Sequence, residues 1–250
     1  MKNVKIEISN GIGWVLFNRP ESRNAFNYST WLEVGDKVKI VDENPDVDVI
    51  ILRGIGGSFS SGADIKEMLE FSQKGKSLEY QKAVNYCFTR LINVKKPTIS
   101  LIEGYALGGG IMVALTTDIR IAEENAKIGI PLVKLGLVVE PLGIKRLVEV
   151  VGLGFATEFL MTGDVIPKEK LISSGVINYF IPREEIEHFT LNLVEKLRRE
   201  NSLEAVIQTK RILREIGNEN PKEPLLNTIF AQMMEKTSFK ERAQKFINKK

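Results

Sequence analysis

Two glycine-rich turns present the backbone groups best suited to chemistry. One lies in the segment FSSGADIKEM over 59–68, and the other in GYALGGG over 104–110. Each follows an apolar run typical of a buried strand and opens a helical pattern, so several backbone N–H groups there lack helical partners. Two such turns side by side can donate two hydrogen bonds to one carbonyl oxygen and stabilise an enolate. The alternative is that the glycines only allow a strand and a helix to pack closely.

A single carboxylate occupies an apolar turn further along the chain. The segment GLVVEPLG over 136–143 places Glu140 directly before a predicted helix that begins at Pro141. A positioned carboxylate can act as a general acid or base. The alternative role is a cap of that helix, with Pro141 at its first position. Glu is a weak capping residue, so the pattern favours catalysis.

The composition of the 250 residues excludes several other mechanisms. Lys and Arg total 35 and Asp and Glu total 32, so the net charge of +3 does not favour general nucleic-acid binding. The only cysteine, Cys87, cannot form an internal disulfide, and with the only histidine, His188, it predicts no zinc site. Catalytic pairs of histidine with serine or cysteine are also excluded unless His188 lies in the site. Carboxylates, backbone groups, lysines and hydroxyls remain.

No segment of the sequence has the apolar pattern of a signal peptide or of a membrane-spanning helix. Residues 1–7 alternate charged and apolar side chains and contain no apolar region of the kind found in signal peptides. The most apolar stretch, 99–115, is too short to span a bilayer and is interrupted by Glu103 and by glycines. We therefore expect a cytoplasmic protein without a membrane partner.

Strand and helix patterns alternate through most of the chain and predict an α/β fold. Strand patterns cover 4–8, 12–17, 47–52, 98–102, 118–122 and 126–130, and helical patterns include 31–41, 78–91 and 141–151. Asp64 and Glu67 have the spacing of a helix capping box. From about residue 184 only amphipathic helical patterns remain, over 185–200, 203–215 and 225–247. We expect a core over 1–183 and a helical C-terminal segment over 184–250 that packs on the core or on another subunit.

Three blocks of sequence resemble the signature blocks of the crotonase superfamily, the enoyl-CoA hydratase/isomerase family. They are NRPESRNAFN over 18–27, FSSGADIKEM over 59–68 and IEGYALGGG over 102–110. Their order and spacing fit the family across essentially the whole chain. The resemblance implies a crotonase-like spiral of ββα units, followed by a helical segment that assembles a homotrimer or a dimer of trimers.

The resemblance also implies a ligand, a coenzyme A thioester from fatty acid metabolism. Coenzyme A is then part of the substrate, and neither a separate cofactor nor a metal is expected. The thioester oxygen would be held by the N–H groups of Ala63 and Gly109. The residues expected to contact the coenzyme A moiety are Ala25, Ser61, Ala63, Asp64, Ile65, Lys66 and Gly109. Lys66 has a second interpretation as an ordinary exposed helix lysine, and Lys249 or Lys250 is a candidate to reach a neighbouring subunit's coenzyme A phosphate.

Two positions depart from the hydratases that this chain resembles. In those enzymes two glutamates hold the attacking water, and here the matching residues are Met112 and Leu132. Neither side chain can activate water or transfer a proton. Several isomerases of the superfamily instead have one Glu or Asp where this chain has Glu140. The resemblance therefore favours an isomerase that moves a double bond from the 3 to the 2 position of an acyl thioester, with Glu140 as the only acid/base.

Other functions remain open on the sequence alone. The enolate could belong to a hydrolase or decarboxylase of an acyl-CoA or acyl-carrier-protein thioester, or to an atypical hydratase that uses Glu140. A non-catalytic acyl-CoA-binding protein is a further alternative, and RNA binding through the basic C-terminus is a remote one. Residues such as Leu69, Phe71 and Leu142 are expected to form the acyl pocket.

Overall fold

The computed structural model describes residues 2–217 and 223–248. The chain forms two compact units, residues 1–192 and residues 193–250. Among the described residues, no helix is long and apolar enough to cross a membrane. The mixture of strands and helices confirms the predicted α/β class.

In the part of the chain that the structure describes, eight strands form two sheets. The strands are β1 (Val4–Ser9), β2 (Ile12–Phe17), β3 (Val49–Gly54), β4 (Thr98–Ile102), β5 (Tyr105–Leu107), β6 (Ile119–Glu123), β7 (Lys127–Gly129) and β8 (Tyr179–Ile181). The larger sheet has the order β1-β2-β3-β4-β6-β8, and β5 pairs with β7 in the smaller one. Only β1 and β2 are antiparallel, since every later strand returns through a crossover.

The predicted N-terminal hairpin is confirmed. β1 and β2 pair with Val4 opposite Phe17 and Ser9 opposite Ile12. The two turn residues, Asn10 and Gly11, both have positive φ, at 50° and 71°. This backbone geometry matches the right-handed twist of the two strands, and asparagine followed by glycine adopts it at low cost.

The described residues also contain ten α-helices. They are α1 (Tyr28–Glu43), α2 (Ile65–Gln73), α3 (Ser77–Ile92), α4 (Gly109–Leu115), α5 (Pro141–Thr162), α6 (Lys168–Ser173), α7 (Ile186–Glu195), α8 (Leu203–Ile216), α9 (Glu223–Glu235) and α10 (Thr237–Ile247). Short 3₁₀ turns cover Pro20–Ser22 and Pro131–Leu135, and a π-helical turn covers Lys196–Glu200. α5 breaks at Gly152, whose φ of 74° and ψ of 163° are not helical. The predicted helix over 141–151 therefore ends at this kink.

A cluster of buried aromatic rings holds the first turn of α1 in the core. Phe26 meets Phe17 and Trp31 edge to face, with ring centroids 4.8 Å apart in each pair. The indole Nε1 of Trp31 donates a hydrogen bond to the hydroxyl of Tyr80 on α3 at 3.0 Å. The buried indole N–H is thereby satisfied, and α1 and α3 are joined beside the first glycine-rich turn.

Candidate active site

The first glycine-rich turn runs as an extended segment between two neighbouring pieces of chain. Ser60 pairs with Ala106 of β5, and Ala63 pairs with Phe26. In the second pairing, Phe26 N donates to Gly62 O at 2.7 Å and Asp64 N donates to Phe26 O at 2.9 Å. Backbone groups of successive residues in an extended segment point in opposite directions. The N–H of Ala63 therefore points away from Phe26.

The second glycine-rich turn begins α4 directly against the first. Gly108 has φ 49° and ψ −118°, a conformation open mainly to glycine, and it precedes the first helical residue, Gly109. A Cβ on Gly110 would lie 2.5 Å from the carbonyl oxygen of Ser60, and one on Gly109 would lie 2.7 Å from the ring of Trp31. Both positions therefore need glycine for this close approach.

The backbone nitrogens of Ala63 and Gly109 lie close together where the turns meet. A Cβ on Gly62 would be 3.2 Å from Gly109 N, and one on Gly109 would be 3.6 Å from Ala63 N. Over residues 2–217 and 223–248, neither N–H donates to a protein acceptor. Two amide donors this close together can bind one oxygen atom and stabilise negative charge that develops on it.

The carboxylate of Glu140 is half-buried and hydrogen-bonded through both oxygens. Glu140 precedes α5, and its Oε2 accepts from Gly143 N at 3.1 Å. The amide of Asn85 on α3, oriented by its neighbours, donates from Nδ2 to Glu140 Oε1 at 2.9 Å and to Gln81 O at 3.3 Å. Glu140 thus caps the helix, as one sequence interpretation expected, and it is also held in a defined orientation.

Apolar side chains occupy positions 112 and 132 next to this carboxylate and to the second turn. Met112 on α4 is 2% exposed, and its Cε would lie 2.8 Å from a Cβ on Gly143. Leu132 Cδ1 would lie 3.0 Å from a Cβ on Gly108. Met112 therefore packs beside the residue that binds Glu140, and Leu132 packs beside the residue that precedes Gly109.

Comparison with known proteins agrees with this arrangement of turns. The sequence profile described as enoyl-CoA hydratase/isomerase matches residues 7–250. This chain belongs to the enoyl-CoA hydratase/isomerase family. The crotonyl-CoA hydratase of Syntrophomonas wolfei is 36% identical to it over 186 residues, which cover 74% of this chain and 71% of the relative.

Solved structures of the enoyl-CoA hydratase/isomerase family have the same fold. A family protein from Hyphomonas neptunium superposes with a TM-score of 0.90 at 27% identity, over 99% of this chain and 95% of that one. A protein of Legionella pneumophila described as an enoyl-CoA hydratase/isomerase (crotonase) gives a TM-score of 0.89 at 25% identity, over 100% and 98% of the two chains. The predicted crotonase-like fold is therefore confirmed.

Residues predicted from the family blocks to contact coenzyme A lie along the first turn and the chain beside it. Ala25 is buried, and its carbonyl oxygen accepts from Arg19 Nη1 at 2.5 Å. Ser61 N donates to Arg23 O at 2.9 Å, and Ser61 Oγ donates to Ser22 O at 3.1 Å. The structure thus brings residues 19–25 and 61–63 together, although they are far apart in sequence.

The remaining predicted contacts lie at the start of α2. Asp64 Oδ1 accepts from Glu67 N at 3.4 Å and Oδ2 forms an ion pair with Arg19 at 3.0 Å, so its predicted capping role is confirmed. The prediction that Glu67 completes the capping box is wrong. Its Oε2 accepts from Tyr28 N and not from the backbone N–H of Asp64. Ile65 and Lys66 are exposed. Lys249 and Lys250 lie outside the described residues.

Two buried glutamates, Glu103 and Glu123, contact the glycine-rich turns. Glu103 Oε2 accepts from Arg53 Nε at 2.8 Å, and its carbonyl oxygen accepts from Phe59 N at 2.8 Å. Glu123 Oε1 accepts from Gly104 N at 2.9 Å. Burial lowers the pKa of Arg53, but hydrogen bonds to Glu103 and Glu187 outweigh it and raise that pKa above its ordinary value. The first turn is therefore bonded to the backbone of Glu103, and the second to the carboxylate of Glu123.

Sequence reasoning missed two residues of this site. Asn85 gives no signal, because a single asparagine on a helical pattern is usual at a solvated face. Glu123 gives a weak one, since it is a charged residue at the end of an apolar strand. In the part of the chain that the structure describes, His, Cys, Asp and Glu side chains form no group of three or more that could hold a metal ion.

Proposed function

We propose that this member of the enoyl-CoA hydratase/isomerase family moves the double bond of a 3-enoyl-CoA to the 2 position. Glu140 is the only acid/base, and the amides of Ala63 and Gly109 bind the thioester oxygen. The observation that carries this proposal is the carboxylate of Glu140, which Asn85 and Gly143 hold through both oxygens beside apolar residues at 112 and 132.

In the proposed reaction one proton travels between two carbons. Glu140 takes the proton from C2, and the electron pair of the broken C–H bond spreads onto the thioester oxygen as a dienolate. The two amides stabilise this charge. Glu140 then returns the proton to C4, which leaves the double bond between C2 and C3. A carboxylate that is held in one place can reach both carbons, and its starting protonation state is restored at the end.

Hydration is the second candidate, because the Syntrophomonas wolfei relative is named a crotonyl-CoA hydratase. Adding water to the 2-enoyl thioester requires that the water be bound and deprotonated. The hydratases that this chain resembles do so with two glutamates, whose positions hold Met112 and Leu132 here. The thioether of Met112 and the hydrocarbon of Leu132 cannot accept a proton. A single carboxylate that reaches two carbons of the substrate is better suited to isomerisation than to hydration.

The test is turnover of 3-hexenoyl-CoA, followed by the rising absorbance of the conjugated thioester. The wild-type protein is expected to form conjugated product, and Glu140→Gln to be slower by about 10²–10⁴-fold. Glu149→Gln is the matched control, since Glu149 is an exposed residue of the same helix that pairs with Arg146 at 3.2 Å. Turnover that survives Glu140→Gln would remove Glu140 from the mechanism.

Other substrates separate the alternatives in the same assay. Loss of conjugated absorbance from crotonyl-CoA identifies a hydratase, and release of a free coenzyme A thiol identifies a hydrolase. Loss of carbon dioxide from a carboxylated acyl-CoA identifies a decarboxylase. Tight binding of every thioester without any turnover identifies a non-catalytic acyl-CoA-binding protein.

We also propose that the coenzyme A moiety lies along Ala25, Ser61 and the start of α2, with Lys66 near its phosphates. What supports this is the adjacency of residues 19–25 and 61–63 and the exposure of Ile65 and Lys66. Lys66→Glu is expected to weaken binding of butanoyl-CoA, and more so at low salt, because a charge interaction with phosphate is screened by ions. Lys74→Glu, at the other end of α2, is the control.

A further inference from the structure

The hydroxyl of Tyr80 on α3 forms two hydrogen bonds inside the N-terminal unit. It accepts from the indole Nε1 of Trp31 at 3.0 Å and donates to the carbonyl oxygen of Phe26 at 3.2 Å. Tyr80 is 6% exposed and Trp31 is 1% exposed, so both bonds are made away from bulk water. Burial raises the pKa of the Tyr80 hydroxyl, which therefore stays protonated and can donate at neutral pH.

The carbonyl group that accepts from Tyr80 belongs to the residue that pairs with Ala63. Phe26 O also accepts from Asp64 N at 2.9 Å, and Phe26 N donates to Gly62 O at 2.7 Å. Phe26 thus holds the residues on both sides of Ala63. A carbonyl oxygen has two lone pairs, so it can accept from Asp64 N and from Tyr80 together. The Tyr80 hydroxyl therefore helps to fix the direction of the carbonyl that orients the Ala63 segment.

The indole that donates to Tyr80 lies against the other proposed oxyanion donor. A Cβ on Gly109 would lie 2.7 Å from Cη2 and 3.1 Å from Cζ2 of the Trp31 ring, so the ring packs directly on this part of the backbone. The hydrogen bond from Nε1 restricts rotation of the indole, and the edge-to-face contact with Phe26 restricts it further. Rotation of the indole would move its outer edge toward or away from Gly109.

We propose that Tyr80 is a positioning residue that sets the distance between the amide nitrogens of Ala63 and Gly109. The inference rests on the proposed function, in which these two amides bind the thioester oxygen. Tyr80 does not touch the substrate, and it acts on the first amide through Phe26 and on the second through Trp31. An oxyanion hole is effective only when its donors lie at the correct distance from the oxygen, so a change in their spacing lowers the rate.

The alternative is that the Tyr80 hydroxyl only fastens α3 to α1. Tyr86 provides the matched control, because its hydroxyl joins the same two helices by donating to Oδ1 of Asp36 at 2.6 Å. Asp36 lies more than one helical turn beyond Trp31 on α1. If fastening were the whole role, Tyr80→Phe and Tyr86→Phe would both affect the urea midpoint and neither would affect a bound thioester.

The test measures how strongly the site polarises a bound thioester carbonyl. Butanoyl-CoA labelled with carbon-13 at the thioester carbon is bound to the full chain, and infrared difference spectra give the stretching frequency of its C=O group. Hydrogen bonds to the oxygen polarise the double bond, so the wild type is expected to lower this frequency relative to free butanoyl-CoA. Tyr80→Phe is expected to lower it less, and Tyr86→Phe is expected to match the wild type.

Turnover of 3-hexenoyl-CoA gives a second measurement on the same variants. Tyr80→Phe is expected to lower kcat by up to about 100-fold and to change KM little, because the contacts to the coenzyme A moiety are kept. Trp31→Phe is a second variant, which keeps an aromatic ring but removes the N–H that donates to Tyr80. It is expected to change the carbonyl frequency and kcat in the same direction, and it decides the inference if urea unfolding shows that Tyr80→Phe does not fold.

The outcomes separate this inference from the proposed function. A smaller frequency shift in Tyr80→Phe supports the inference, even if no conjugated product forms. A shift in Tyr80→Phe equal to that of the wild type overturns the inference and leaves the two amides as oxyanion donors. Equal losses in Tyr80→Phe and Tyr86→Phe also overturn it, because fastening of the helices would then account for both. A wild-type frequency equal to that of free butanoyl-CoA removes the oxyanion donors from the proposed function and overturns the inference as well.

Discussion

The amide nitrogen of Asn85 lies 2.9 Å from Oε1 of Glu140, and this contact joins α3 to the start of α5. Gly143 N holds the other carboxylate oxygen at 3.1 Å. The helix N-terminus alone would bind one oxygen and leave the carboxylate free to rotate. With the second donor, the direction in which Glu140 presents its lone pairs is set by two separate elements.

Asn85→Ala is expected to lower kcat by up to about 100-fold and to change KM little. The carboxylate remains, but a small misplacement of a catalytic group can cost about that factor. The measurement is steady-state turnover of 3-hexenoyl-CoA. Asn93→Ala is the control, because Asn93 lies at the end of the same helix and its Nδ2 donates only to Thr89 O, at 2.8 Å. Equal kcat for wild type and Asn85→Ala would contradict the proposed positioning.

Gly110→Ala is expected to destabilise the fold by about 1–3 kcal/mol and to reduce activity, because added atoms in a tight contact must displace their neighbours. The new carbon would lie 2.5 Å from the backbone oxygen of Ser60 and would push the two glycine-rich turns apart. Gly154→Ala on α5 meets nothing within 4 Å and is expected to stabilise by about 0.5–1 kcal/mol. Urea unfolding followed by circular dichroism measures both. Similar effects of the two changes would refute the close contact.

Cys87 on α3 is buried, and this burial raises the pKa of its thiol. In the unfolded chain the thiol ionises near its ordinary pKa of about 8.5. Above that pH the unfolded chain loses the proton first, so the free energy of unfolding is expected to fall as pH rises. The measurement is urea unfolding at pH 7 and pH 9.5, with Cys87→Ala expected to show a smaller decrease.

Thiol labelling gives an independent test of the same burial. As the only cysteine in the chain, Cys87 is expected to react with a thiol reagent at the rate of unfolding and at once in denaturant. Fast labelling of the native protein at neutral pH would show that the thiol is accessible.

Elements with strong local patterns could be predicted from the sequence. The hairpin, the apolar runs of β3 and β4 and the amphipathic α1 and α3 lie within a few residues of their predicted bounds. α6 and β8 were not predicted, because six and three residues are too few to show a period. The partner of Glu67 was also not predictable, since Tyr28 approaches it only through the tertiary fold.

The backbone part of the site was more accessible to sequence reasoning than the side-chain part. The glycines of 104–110 mark a turn whose backbone must approach another chain segment, and the structure puts that turn against residues 60–63. Asn85 could not be identified, because its role depends on how α3 and α5 face each other. Contacts between helices distant in sequence leave no local pattern.

The C-terminal unit exposes aromatic side chains that we propose to be covered in a homotrimer. Phe230 on α9 is 74% exposed, and Phe246 on α10 is 70% exposed. Each such residue contributes about 1.5–3 kcal/mol when it is fully buried, and a symmetric assembly repeats that gain in every subunit. Light scattering of the wild type is therefore expected to give a mass of three times 28.1 kDa, and Phe246→Asp is expected to give a smaller mass. Lys245→Asp changes charge next to it without removing apolar surface and is expected to leave the mass unchanged. A monomeric wild type would rule out the trimer.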